Sequence, residues 1–487
     1  MQTASTNWTP GRRRVWWTAL PVTLLAAIAV ATLAPVDLDP QLSASWRMAT
    51  EARLSASETS SGVATASLRA GFARTRLTPA LGVSGGNPAL GEFDAIPLAG
   101  YGNRKGQPAT GVLDDVWVKA VAFAVAGRTG VVVSADALII PREVALQATD
   151  AVTAATGLRR DQIFFGATHT HCSLGGWGEG PVGQAFAGPF HPGAVVWFAG
   201  QLAAAVREAV ADLTPASLGT GGFEAPEWVR NRLVGEQGPV DARFSLIRVR
   251  QEDGDEAVIG SYGAHATVLG ASTMRFSGDY PGAWQRTMER NSGGLALFLA
   301  GAVGSQGPRT PVGGPDGATA MGEALATASR KALAEISMSQ EVIFGQASVE
   351  VGLPELQNRI LDGVRLRPWL ARRLLPPLAA DVWIQAVRIQ DAVWCSTPCD
   401  YSGELALALR GDACLRGLDA VVTSFNGDYI GYVIPGKYFH LGGYESRVMS
   451  FYGPNIPDYF DGVLRRLMHR LSPAASDPVV NSGPGRH

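Results

Sequence analysis

Short apolar runs alternate with amphipathic stretches along most of the chain. Ala70 to Leu77 has the composition of an opening strand, and Gly130 to Val133 is a continuous apolar run ending at Ser134-Ala135-Asp136, which predicts a buried strand. Arg142 to Thr156 carries apolar residues at helical spacing. Gln162 to Phe165 predicts the next strand, and Ala194 to Leu213 a long helix stopped by Thr214-Pro215. Phe244 to Arg250 and Glu256 to Tyr262 flank Gln251-Glu252-Asp253-Gly254-Asp255, a hairpin signature. Leu295 to Leu299 predicts a strand and Gly317 to Glu335 a helix. A second hairpin joins Val382 to Ile389 with Val393 to Ser396, then Ala420 to Phe425 forms a strand and Asp458 to Leu471 a closing helix. Hairpins mixed with helices predict a mixed α/β (α+β) fold, with mixed β-sheets flanked by helices, rather than a pure doubly wound sheet.

The two ends follow different rules. Arg12, Arg13 and Arg14 precede Val15 to Val36, a run without a charged residue, interrupted by Pro21 and long enough to span a bilayer. Residues 1–36 are read as a retained signal-anchor, with a cleaved signal peptide as the alternative, since Ala29-Val30-Ala31 has the small-x-small form of a cleavage site. Both readings put the remainder outside the cytoplasm, membrane-anchored or secreted, because the arginines hold the N-terminus inside. Residues 37–67, rich in Ser, Ala and Thr, are expected to be a linker or stalk with room for a short helix. Residues 68–471 form the globular domain, and residues 472–487 a disordered tail.

Composition narrows the class. Of 487 residues, 46% are hydrophobic and 17% charged, which excludes a disordered chain and a long coiled coil. A formal net charge of -2 gives no sign of a nucleic-acid partner. Four cysteines are too few for a disulfide-built scaffold and leave room for one bridge.

Polar residues gather just after the predicted strands. In Ala167-Thr168-His169-Thr170-His171 the two histidines, two apart in an extended segment, share a face and suit a metal or an acid/base pair. His265 follows the strand ending at Tyr262, Asp400 follows the second hairpin, and Tyr429 and Tyr432 follow the strand ending at Phe425. Taken alone, each has an ordinary structural reading: a hydrogen-bonded histidine pair, a satisfied core histidine, a helix N-cap at Asp400, buried aromatics. Strand exits are nevertheless where a sheet protein assembles a site.

In order along the chain, Ala167 to His171, Asn231-Arg232, Gly263 to Thr267, Phe276 to Gly282, Pro398 to Glu404, Tyr429 to Tyr432, Tyr444-Glu445 and Phe451 to Pro454 resemble the catalytic domain of the neutral/alkaline, non-lysosomal ceramidases. The resemblance covers about Leu68 to Leu471. It implies a zinc-dependent amidase that cleaves the N-acyl bond of ceramide-like lipids to a sphingoid base and a fatty acid. Carried over position by position, it implies zinc ligands His169, His265, Asp400 and Tyr432, a proton-handling His171, and Arg232 and Tyr444 at the scissile carbonyl. Asp136 and Asp279 suit either an orienting role toward ligand imidazoles or a turn-forming or capping role in the scaffold, and Glu404 is a fallback ligand.

Three departures qualify that resemblance. The family usually has Glu where this chain has Asp400, one methylene shorter. Its Gly-Asp-Val-Ser-Pro loop reads Gly304-Ser305-Gln306-Gly307-Pro308 here, with Gly307 at the serine position, so direct attack by water is expected rather than a serine-dependent route. Family members commonly append a β-sandwich domain, whereas here the resemblance is to the catalytic domain alone. Two alternatives follow: a homologue that binds lipid or metal without turnover, and a zinc hydrolase of a non-sphingoid amide or ester. The basic-apolar stretch Val364 to Leu375 suits either a bilayer contact or an exposed hairpin packed on the globe.

Overall fold

The computed structural model describes residues 10–57, 62–375 and 378–472, with side chains outside 10–20 and 291–292. Apart from Ser472, the expected tail lies outside the described residues. The strands of the main sheet are β1 (Val63–Arg76), β2 (Trp117–Val125), β3 (Arg128–Ala135), β4 (Ile163–Ala167), β5 (Thr214–Glu224), β6 (Arg243–Gln251), β7 (Glu256–Tyr262), β8 (Leu295–Ala300), β9 (Glu341–Gly352), β10 (Asp381–Ile389), β11 (Ala392–Thr397) and β12 (Asp419–Ser424). They join into one 12-stranded network, mixed as expected. One branch runs β8-β7-β6-β5-β1, a second β1-β9-β10-β11-β12, and a third β1-β2-β3-β4. Pairing is antiparallel except for β3 with β4, β7 with β8 and β11 with β12.

The long β1 is the hub. It pairs with β9 through Val63 to Ser67, with β5 through Leu68 to Ala70, and with β2 from Leu68 to Arg76. The outermost strands β4, β8 and β12 lie against one another. Successive residues of one strand therefore enter different cores. Val132 and Phe164 face a central core with Leu297, Leu299 and Val421, while Val131, Val133 and Phe165 face a helix-covered one. Burial on both faces is why these strands read as unbroken apolar runs.

The helices are α1 (Pro10–Thr32), α2 (Ser45–Ser57), α3 (Arg142–Thr156), α4 (Gly180–Ala187), α5 (Pro192–Ala211), α6 (Asp279–Ser292), α7 (Gly314–Glu335), α8 (Pro368–Leu374), α9 (Gly403–Cys414) and α10 (Ile456–Leu471). α3 and α5 cover β1 to β4, α6 and α7 the β5 to β8 branch, and α2, α9 and α10 the β9 to β12 branch. By length and composition α5 could cross a membrane, yet half of it is buried against β1 and β2, which makes it a core helix. α1 differs: Val22, Leu24, Leu25 and Val30 are each more than 60% exposed.

The segment expected as a stalk is ordered where it forms α2. Leu54 is fully buried, and Arg53 pairs with Asp381 at 2.8 Å, because α2 closes the outer face of β9. β1 accordingly starts at Val63, earlier than expected. None of the four cysteines is bridged.

Candidate functional site

The carboxyl ends of β3, β4, β7, β11 and β12 converge on one cavity of about 280 Å³. Convergence follows from the packing of β4, β8 and β12, whose following loops must meet at one end of the sheets. His169 leaves β4, His265 leaves β7 and Asp400 leaves β11. All three line the cavity with His171, Tyr429, Tyr432 and Tyr444. Arg232 reaches the group from behind, donating from Nη2 to the Tyr432 hydroxyl at 2.7 Å.

At the cavity floor three imidazoles face one another. His169 Nε2 lies 2.8 Å from His265 Nε2 and 3.4 Å from His171 Nε2. Asp400 Oδ1 is 3.5 Å from His169 Nε2. His169 donates its Nδ1–H to the Leu138 carbonyl at 2.6 Å, which assigns the neutral tautomer with its Nε2 lone pair turned inward. His265 Nδ1 faces the Val303 carbonyl at 3.4 Å. His171 Nδ1 has no partner of good geometry, with only the Gly100 backbone beside it.

Two inward lone pairs at 2.8 Å repel unless a cation or proton lies between them. Asp400 Oδ1 is also buried without a hydrogen-bond partner, a costly arrangement for a carboxylate. Burial keeps the imidazoles neutral. It lowers His169 to about 3, against the raising effect of the Leu138 bond, and lowers His171 and His265 well below 6.5. Burial also pushes Asp400 up to about 7, opposed by the Tyr429 bond and by Arg232. Neutral imidazoles with an orphaned carboxylate oxygen are the donor set a zinc ion takes, so these residues fit the metal.

Local backbone strain holds the floor in shape. His169 and Phe425 both have positive φ, 62° and 69°, uncommon for non-glycine residues, and their rings stack at 4.1 Å with 12° between planes. Tyr429 Oη donates to Asp400 Oδ2 at 2.8 Å, leaving Oδ1 turned toward the imidazoles. Gly304 is required by a close approach: a Cβ there would lie 2.3 Å from the Asp400 carbonyl oxygen. Arg232 is fixed by Glu445, Nε to Oε1 at 3.0 Å, and Tyr444 stands edge-on to Tyr432.

Above the floor the walls are mostly apolar, with Trp177, Val182, Phe186, Phe190, Val195, Met449 and Phe451. Of the two readings of Asp136 and Asp279, the scaffold role holds and the imidazole-orienting one does not. Asp136 accepts from the Trp117 backbone and Gln285, and Asp279 from the backbone N–H of Leu269 and Tyr280, so their carboxylates are engaged away from the imidazoles. Glu404 turns to Lys437. Ser305 is buried and accepts from the Gly403 N–H and the Ser402 hydroxyl, each at 3.0 Å, and it does not line the cavity. Sequence reasoning missed Phe425 as a site residue, since nothing marks a strand-end Phe as different from core. It also missed the Leu138 and Val303 carbonyls, whose role carries no side-chain signature.

This arrangement of sheets and strand-end histidines is a neutral ceramidase-like fold. The structure is similar to that of neutral ceramidase from Pseudomonas aeruginosa, with a TM-score of 0.69 and 18% identity over 84% of this chain and 76% of that one. It is equally similar to a ceramidase complexed with C2, with a TM-score of 0.69 and 18% identity over 83% of this chain and 75% of that one. No protein-family model matches the chain, and no curated protein matches it in sequence. At 18% identity the likeness carries the fold, and the reaction has to be argued from the site.

Proposed function

We propose that this chain is a zinc-dependent amide hydrolase acting on the N-acyl bond of a ceramide-like lipid. The observation that carries the reading is the cluster of buried His169 and His265 with half-buried His171, beside the orphaned Asp400 oxygen, at the floor of an apolar cavity. His169, His265, Asp400 and Tyr432 are the proposed zinc ligands. Zinc held there would polarise a carbonyl and bring the pKa of water toward ~7.

The chain's own groups divide the remaining work. His171 Nδ1 has only a poorly aligned backbone neighbour in Gly100, which argues against a ligand role, because a ligating histidine ordinarily fixes its ring firmly through the other nitrogen. His171 instead takes a proton from the attacking water and delivers it to the departing nitrogen as the acyl C–N bond breaks and the C–O bond forms. Tyr444, from the cavity wall, stabilises negative charge developing on the carbonyl oxygen, and Arg232 supports it from behind through its bond to Tyr432. Trp177, Val182, Phe186 and Phe190 would hold an apolar chain and exclude water from the floor. The hydrolase domain comprises residues 68–471 together with α2 and the start of β1, which pack onto it. Residues 1–36 anchor it, the apolar Pro21–Thr32 part of α1 entering the bilayer with the domain outside the cytoplasm.

The test compares two histidines in the purified, zinc-loaded protein, using a fluorogenic N-acyl amide and elemental analysis. His169→Ala should lose most of the zinc and, with it, turnover. His171→Ala should keep zinc and lower kcat by about 10²–10⁴-fold. Equal zinc loss in both would make His171 a ligand, and wild-type protein that binds zinc without turnover would sink the hydrolase reading.

A further inference from the structure

α1 is not a free tether. Directly after it, Leu33–Pro35 pairs antiparallel with Val364–Leu366. The Arg367 N–H donates to the Thr32 carbonyl at 2.8 Å. Arg367 Nε donates to the Val30 carbonyl at 2.7 Å, and Trp369 Nε1 to the Ala31 carbonyl at 3.1 Å. These bonds clamp the end of the exposed apolar helix to one edge of the globe. Residues 359–374 at that edge hold five arginines and one acid, Asp362, in a chain whose net charge is -2. Asp362 is taken by Arg447, and Arg372 and Arg373 are exposed and make no ion pair among the described residues. Beside them Leu361 is 61% exposed and Trp369 56%.

The same edge reaches the cavity. Arg359 donates to the carbonyls of Leu441 and Ser446, seating the 359–366 hairpin on the turn Tyr444–Val448. That turn exposes Val448 and carries Tyr444 into the cavity wall. On the other side α8 packs against α4, which supplies Val182 and Phe186 to the same wall.

We propose that residues 359–374, with the Tyr444–Val448 turn, form a surface that lies flat on an anionic lipid bilayer and holds the cavity beside it. Exposed Trp and Leu suit the interfacial layer, and unpaired arginines suit anionic headgroups. The clamp places this edge next to the bilayer once α1 has entered it, and the unpaired arginines then hold it flat on anionic headgroups. An amide with long acyl chains could then leave the bilayer for the cavity without crossing water. The inference rests on the anchor assigned to α1 above, and its test does not depend on turnover.

The full chain is reconstituted in phosphatidylcholine vesicles, with and without phosphatidylglycerol, and hydrogen–deuterium exchange is compared with that in detergent micelles. Exchange across 359–374 and 444–448 should slow about tenfold on the anionic vesicles, less on the neutral ones, and not in micelles. In Arg372→Glu/Arg373→Glu the protection should be lost while the chain still floats with the vesicles through α1. Floating chains with unchanged exchange in these segments would overturn the surface and leave the anchor standing. Hydrolysis of a detergent-dispersed amide, measured separately, reports on the proposed reaction alone.

Discussion

Ser305 and Phe425 show how far a residue's type can mislead about its work. Ser305 is the only hydroxyl in the loop from Ala302 to Arg309, and it spends that hydroxyl on the start of α9, away from the cavity. Ser305→Ala should therefore keep turnover of the N-acyl amide within about tenfold, near 1.4 kcal/mol of barrier. It should cost about 1–3 kcal/mol in urea unfolding, because the Gly403 N–H is left buried and unpaired. A loss of several orders of magnitude in kcat with zinc retained would give Ser305 a chemical role. Phe425 stands at the opposite pole: a residue with no polar atom whose ring fixes that of His169. Phe425→Leu keeps most of the apolar volume and should change stability by less than about 1.5 kcal/mol. Loss of the flat stacking face should weaken zinc binding about 10–100-fold, measured by competition with a chelator. Unchanged affinity would mean that the Leu138 bond orients His169 without help.

Among the elements, those with local signals were legible. The predicted Arg142 to Thr156 helix is α3, and Glu256 to Tyr262 is β7, because amphipathic spacing and a Gly-containing turn are written in adjacent residues. β5, β9 and α6 were not legible. β5 is rich in Gly and Thr and begins with the Thr214-Pro215 stop signal, and it becomes a strand only because β1 and β6 flank it. The sequence allows a short helix at α2, but its docking on β9 was hidden by a Ser- and Ala-rich composition that suits a stalk equally well. Its tertiary role is measurable. Leu54→Ala should destabilise the protein by about 2–5 kcal/mol in urea unfolding, the cost of emptying a fully buried leucine site, whereas in a solvated stalk it would cost nearly nothing.

At the scale of the whole molecule, metal and fold should be coupled. The proposed donors come from loops after β4, β7, β11 and β12, which lie far apart in sequence, so a cation held among them would tie the branches of the sheet together. Zinc at a hundredfold excess over its Kd should add about 2.7 kcal/mol to stability and raise Tm, read by calorimetry with and without chelator. His169→Ala should abolish the shift, and a wild-type Tm indifferent to zinc would separate the cluster from metal binding. The sequence by itself determined the fold class, the apolar N-terminal run and the short motifs at strand exits, because periodicity and turn chemistry act between neighbours in the chain. Only the tertiary structure decided that these exits meet at one floor, that Asp136 and Asp279 serve the scaffold, that Phe425 stacks on His169, and that α1 is clamped beside the cavity. Each of those outcomes depends on contacts between residues tens to hundreds of positions apart, and such contacts are set by how the three branches pack around β1.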